Sequence, residues 1–109
     1  MPEYRLEICI DQFEVKQISS ESVVFYKIEL FSYISEHKWI IMKRFKDIHE
    51  YYLFLKNFYF NLPHFPKKSL IKMTNFEELN NRKKALDSFF KVVFYQNKAY
   101  SKKRRYYFQ

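Results

Sequence analysis

Glycine does not occur in this 109-residue chain, and its absence removes several classes of site at once. Phosphate-cradling loops, dinucleotide fingerprints and nucleophile elbows all place Gly where the backbone must take a positive φ or approach a ligand closely. Cysteine occurs once, as Cys9, so no internal disulfide can form and a reducing, cytosolic setting is expected. No apolar run approaches ~20 residues. The chain opens Met1-Pro2-Glu3 without the basic region and apolar stretch of a secretory leader. Neither a membrane span nor a leader is therefore expected. The three histidines, His37, His49 and His64, are scattered without metal-ligand spacing, and Cys9 has no evident partner. No metal, no cofactor and no catalytic pair are expected, which makes an enzyme the least expected class.

What is present is a chain of one domain's length, 1–109, large enough to bury a core of its own. Its 13 Phe, 10 Tyr and 1 Trp mean a core of large flat side chains, some carrying a hydroxyl that needs a partner. The net charge is +8 and is strongly polarised. Residues 1–42 hold four Lys/Arg against seven Asp/Glu, net −3, while residues 43–109 hold sixteen against five, net +11. Such a molecule presents one basic side to an anionic surface, membrane or nucleic acid.

Residues 4–11 alternate, Tyr4, Leu6, Ile8 and Ile10 against Arg5, Glu7, Cys9 and Asp11, which predicts a half-buried strand. Val23 to Tyr33 is rich in β-branched and aromatic residues and predicts a second, and His37 to Arg44 a third. Short polar connections between them make an antiparallel three-stranded meander the simplest topology. Asp47 with Glu50 reads as a capping box for a helix from about Asp47 to about Asn61, stopped by Pro63. Pro63 and Pro66 keep the chain irregular down to Thr74. Thr74 with Glu77, or Asn75 with Glu78, can cap a second helix with Phe76, Leu79, Leu86, Phe89, Phe90 and Val93 on its apolar stripe. The tail from Lys98, basic and then aromatic, predicts a short third helix. The fold class is α+β: a three-stranded antiparallel meander packed on three or more helices, with a proline-rich loop.

Three segments carry cations that would meet if the chain folds back between them. Lys43-Arg44-Phe45-Lys46 lies where the period changes from strand to helix, Phe65-Pro66-Lys67-Lys68 lies in the proline loop, and Arg82 falls inside the apolar sector of the second helix. A guanidinium on an inward stripe must reach a rim, pair with an acid such as Glu78 or Asp47, or face a pocket that an anion fills. Arg44 is either an ordinary edge arginine or a planar fork suited to bidentate phosphate contact. Convergence of the three implies an anionic ligand, a phosphate.

The order of these pieces resembles the phox-homology (PX) domain, the phosphoinositide-binding module of sorting nexins, over nearly the whole chain. Arg44-Phe45-Lys46-Asp47-Ile48 is similar to the family's Arg-Tyr-Ser-Asp-Phe motif, and Phe65-Pro66-Lys67-Lys68 to its proline-lysine loop. Arg82, with Leu86 and Phe89, is similar to its late helical Arg. The resemblance implies that Arg44 holds the 3-phosphate of phosphatidylinositol 3-phosphate and that Phe45 packs against the inositol. It further implies that Lys68, or Lys67, takes the 1-phosphate, while Arg82 binds the 4- and 5-hydroxyls. Lys46, often Ser in the family, adds a possible headgroup contact that would relax selectivity toward more highly phosphorylated lipids.

Leu70, Ile71 and Met73 around Lys72 form an apolar set flanked by cations, which either dips into a bilayer, as the resemblance implies, or covers the core edge. Lys102-Lys103-Arg104-Arg105 reads as a solvated face or added attraction for anionic membranes. The expected role is membrane recruitment, peripheral and endosomal. Basic residues among aromatics also suit single-stranded nucleic acid, and a PX-like fold can serve protein interaction alone.

Overall fold

The computed structural model describes residues 6–69 and 75–95. Three strands, β1 (Leu6–Ile18), β2 (Glu21–Ser32) and β3 (Lys38–Arg44), form one antiparallel sheet in the order β1-β2-β3. Two helices follow, α1 (Phe45–Lys56) and α2 (Phe76–Tyr95). Residues 57–69, with both Pro63 and Pro66, lie outside helix and strand. The third helix expected from Lys98 falls outside the described residues.

The first strand does not stop at Asp11 as its alternation predicts. It runs on to Ile18 across a bulge, where Cys9 pairs with Glu29 and Gln12 already pairs with Lys27. One extra residue on β1 flips the phase, so Ile8 and Ile10 pack inward before the bulge and Phe13 after it. Period-two reading loses the strand at that flip. α2 seals the irregular backbone. The Ile10 N–H donates to Asp87 Oδ1 at 2.8 Å and Lys83 Nζ donates to the Asp11 carbonyl at 3.0 Å. Asp87 is in turn held by Lys91 one turn on, at 2.9 Å.

Without glycine, the tight turns fall to other residues. Ile18 pairs with Glu21, leaving a two-residue loop in which Ser19 and Ser20 take φ of 50° and 67°. Hairpin twist demands that conformation, and a Cβ there costs about 1–2 kcal/mol per residue. Gln17 Nε2 donating to Ser22 Oγ at 2.6 Å clamps the base of the turn. Ser20→Gly is therefore expected to raise stability by about 1 kcal/mol. An unchanged denaturation midpoint would show that the turn is relieved some other way.

The predicted capping box is corrected. α1 starts at Phe45, two residues before Asp47, and its N-cap is Arg44 at φ −80°, ψ 157° with no side-chain cap bond. Arg44 ends the strand ladder opposite Phe25, so its extended backbone already has N-cap geometry, and the buried Phe45 begins the helix by packing inward. Asp47 instead sits in the first turn, where its charge suits the helix dipole. The helix also ends at Lys56 rather than near Asn61. Asn57 and Phe58 N–H donate to the Phe54 and Leu55 carbonyls at 3.1 and 2.9 Å, a tightened last turn that closes the helix before Pro63. For α2 the Asn75 alternative holds, its Oδ1 accepting from the Glu77 and Glu78 N–H groups at 2.8 and 3.2 Å.

The core lies between the inner face of the sheet and the helices: Ile8, Ile10 and Tyr26 from the sheet, Phe45, Ile48 and Leu55 from α1, Leu86, Phe89 and Phe90 from α2. Phe65 joins it from the proline loop, stacked on Tyr52 at 4.3 Å and 4° and edge-on to Phe89 at 5.0 Å and 86°. That anchor fixes where the loop's next residues emerge. Phe76, expected on the stripe of α2, is exposed, though its ring lies 5.5 Å from Phe13.

Candidate functional site

The strand-to-helix corner delivers Arg44, Phe45 and Lys46, the pinned loop delivers Lys68 and Ser69, and α2 delivers Leu79 and Arg82. These face the start of β2, from Glu21 to Val24 and Tyr26, across one hollow of about 340 Å³. Four of the sequence-predicted cations, Arg44, Lys46, Lys68 and Arg82, thus line a single cavity. Lys67 does not line it. The loop turns its backbone inward there, and the Lys67 carbonyl accepts a long 3.5 Å contact from Arg82 Nη2. Leu70, Ile71 and Met73 lie outside the described residues, as does the basic run from Lys102.

Charge in the hollow is uncompensated. Elsewhere on the sheet three cations are paired: Lys16 with Glu14 at 3.9 Å, Lys27 and Lys38 with Glu29 at 3.6 and 2.6 Å. Glu29 is held below the usual carboxylate range, first by the hydrogen bond from Lys38. None of the four cavity cations makes an ion pair among the described residues. Glu21 is the lone carboxylate on the lining, against four cations. Such a cavity attracts an anion, because each charge is left to find its counterpart in a ligand.

Arg82 resolves into none of its structural alternatives with an acid: neither Glu78 nor Asp47 pairs with it. Its guanidinium lies over the Phe45 ring, 3.9 Å from the centroid. A stack of this kind contributes about 0.5–2 kcal/mol through the flat face of the guanidinium and does not use its in-plane N–H donors. Phe45 is itself buried, with His49 and Phe65 rings each 5.8 Å away. One face of the aromatic expected to meet an inositol is therefore already covered by Arg82.

Tyr26 was not singled out by sequence reading, which saw only an apolar strand position. It is fully buried, lines the hollow, and its hydroxyl has no hydrogen-bond partner among the described residues. Burial pushes its phenol above the ordinary value, and the positive charge of Arg82 on the same hollow pulls it part of the way back. A buried hydroxyl without a full partner costs about 1–3 kcal/mol. The one available signal was a phenol among Val24 and Ile28 on the inward face. Among the described residues no group of His, Cys, Asp and Glu could hold a metal ion, and no helix is long and apolar enough to cross a membrane.

Comparison with known proteins agrees with this geometry. The family model of the PX domain matches residues 31–108. A solved structure titled "X-ray structure of a designed CISK-PX domain" is similar to this chain with a TM-score of 0.67 and 21% identity, over 80% of this chain and 83% of that one. No curated protein is significantly similar. The structural likeness establishes the common fold, and the sequence match covers the corner, the loop and the Arg82 helix. This chain belongs to the PX domain family, modules that bind phosphoinositides and carry no enzymatic activity.

Proposed function

We propose that the chain, acting as one module, binds phosphatidylinositol 3-phosphate in the hollow and recruits its protein to endosomal membranes. The observation that carries this reading is the gathering of Arg44, Lys46, Lys68 and Arg82 around one cavity without carboxylate partners among the described residues. Arg44 presents a fork to the 3-phosphate. Lys68 supplies a mobile point charge to the 1-phosphate. Arg82, held on Phe45, meets the 4- and 5-hydroxyls and so favours a ring unsubstituted there, while Phe45 forms the aromatic wall. Lys46 adds positive charge beside the 3-phosphate. Leu70, Ile71 and Met73 enter the bilayer interface next to Lys68, each buried methylene contributing about 0.8 kcal/mol.

Exposed aromatics that could stack nucleotides, Trp39, Phe54 and Phe60 among them, are not on the lining of the hollow. The test is co-sedimentation with vesicles bearing phosphatidylinositol, its 3-, 4- or 5-phosphate, or its 3,5-bisphosphate, each repeated with competing single-stranded RNA. Preference for the 3-phosphate that survives RNA supports the reading. Equal binding to every anionic vesicle, or displacement by RNA, refutes it.

Lysine register gives a second check. Lys68→Ala is expected to weaken binding to 3-phosphate vesicles about tenfold, the loss of one charge-assisted contact. Lys67→Ala should change it by no more than about fivefold, the worth of one lysine near an anionic leaflet. Reversal of that order would assign the 1-phosphate to Lys67.

A further inference from the structure

We infer that the free edge of β3 is a docking site for an extended, acidic-ended segment of a partner protein, which joins the sheet as an added strand. The sheet has two edges, and they differ. β1 is interrupted by its bulge, and α2 covers the irregular backbone: Asp87 accepts from the Ile10 N–H and Lys83 donates to the Asp11 carbonyl. No such cover lies on β3 among the described residues. It pairs with β2 without a register shift, contains no proline, and is exposed from Lys38 to Ile41. A regular apolar edge of this kind is the form in which a sheet accepts another strand.

Register decides which groups the edge offers. The Ser32 N–H donates to the His37 carbonyl at 2.9 Å, which makes these two a hydrogen-bonded pair. Such pairs alternate along an antiparallel ladder, so Trp39, Ile41 and Lys43 spend their backbone groups on Leu30, Ile28 and Tyr26. The N–H and C=O groups of Ile40 and Met42 then point away from β2, and none of them bonds elsewhere among the described residues. Trp39, Ile40 and Ile41 are 46%, 56% and 38% exposed, an apolar centre that the side chains of an added strand would cover. The Trp39 ring is braced by His37, stacked 5.9 Å away.

Charge selects the occupant. β3 carries Lys38 at one end, Lys43 and Arg44 at the other, and no carboxylate. Glu29 is shared between Lys38 and Lys27, which leaves an excess of positive charge at that end, and Lys43 makes no ion pair among the described residues. Antiparallel pairing of all seven residues of β3 with a second copy sets Lys38 opposite Arg44 at both ends and Trp39 opposite Lys43, between chains of net charge +8 each. A foreign strand with Asp or Glu at its ends and apolar residues between them meets the cations and the apolar centre together. None of residues 38–43 lines the hollow, so this strand docks beside the headgroup site and not in it.

The test needs no lipid. Amide hydrogen exchange is followed on the chain with and without a capped synthetic peptide, Asp-Glu-Val-Thr-Val-Thr-Val-Glu-Asp. In the free chain the Trp39 and Ile41 amides, bonded to β2, are expected to exchange slowly, and those of Ile40 and Met42 fast. Saturating peptide should slow Ile40 and Met42 by about tenfold or more, the equivalent of one backbone hydrogen bond on each. A peptide with Lys in place of every acid should bind about tenfold more weakly or worse, the summed loss of several exposed charge pairs. Ile40→Pro removes an outward N–H that β2 does not use, a change an edge strand tolerates, and should abolish peptide binding while vesicle binding stays as in wild type. Unchanged exchange at Ile40 and Met42, equal binding of the lysine peptide, or full binding by Ile40→Pro overturns the inference. Protection of the same two amides that rises with protein concentration alone also overturns it, by giving the edge to a second copy. Should the proline lower the melting temperature, the alternating exchange in the wild-type chain decides by itself.

Discussion

Arg44→Ala is expected to lower affinity for phosphatidylinositol 3-phosphate vesicles about a hundredfold, while the melting temperature stays nearly unchanged. A bidentate fork on a phosphate makes two charge-assisted hydrogen bonds of about 1.5 kcal/mol or more each, and about 1.4 kcal/mol is a factor of ten. The stability side follows from what Arg44 does in the unliganded chain. It is exposed, caps α1 with its backbone alone, and has no ion pair among the described residues. Substitutions of that kind stay within about 0.5 kcal/mol. Arg44→Lys separates charge from geometry, because lysine restores the cation without the planar fork and should recover only part of the loss. Binding by Arg44→Ala equal to wild type would remove the 3-phosphate from this corner. A large fall in melting temperature would make Arg44 a structural residue.

Phe65→Ala is expected to cost about 3–5 kcal/mol of stability, the range for a buried aromatic truncated in a core. Phe65 stacks on Tyr52, meets Phe89 edge-on and lies 5.8 Å from both Phe45 and His49, so its removal opens a cavity shared by both helices and the loop. For a domain near 100 residues, each kcal/mol moves the melting temperature by about 4–8 °C. The effect should extend to binding, since Phe65 is the anchor three residues before Lys68. Measured well below its lowered midpoint, the variant should bind 3-phosphate vesicles more weakly than wild type. Phe65→Leu retains most of the apolar burial and loses the ring geometry, worth about 0.5–1.5 kcal/mol per aromatic pair. It should fall between the two. A loss below about 1 kcal/mol for Phe65→Ala would show that the loop is held elsewhere.

Much of the fold was legible in local pattern. The three strands, their antiparallel order and both helices follow from period-two and 3.6-residue spacing and from the short connections. Boundaries were legible only where one rule acted alone. β1 was cut short because a bulge at Ile10 and Asp11 shifts its alternation, and the groups that stabilise that bulge, Asp87 and Lys83, are remote in sequence. α1 began early because Arg44 has cap geometry through the strand, while Asp47 merely has cap chemistry. For the site, Arg44, Lys68 and Arg82 stood out as cations at a period change, in a proline loop and on an apolar stripe. Tyr26 did not, because a phenol on a β-strand looks like any other core aromatic until its hydroxyl is found without a partner.

Residue types and their spacing settled by themselves the order of elements, the polarised charge and the exclusion of glycine-dependent sites, because each depends on neighbours within a few positions of the chain. Only the tertiary structure decided that Lys68 rather than Lys67 lines the cavity, that Arg82 rests on Phe45 instead of pairing with an acid, and that four cations share one hollow. Those outcomes turn on how segments many residues apart are docked by the aromatic core, and no local periodicity encodes the distance between a strand end, a loop and a distant helical turn.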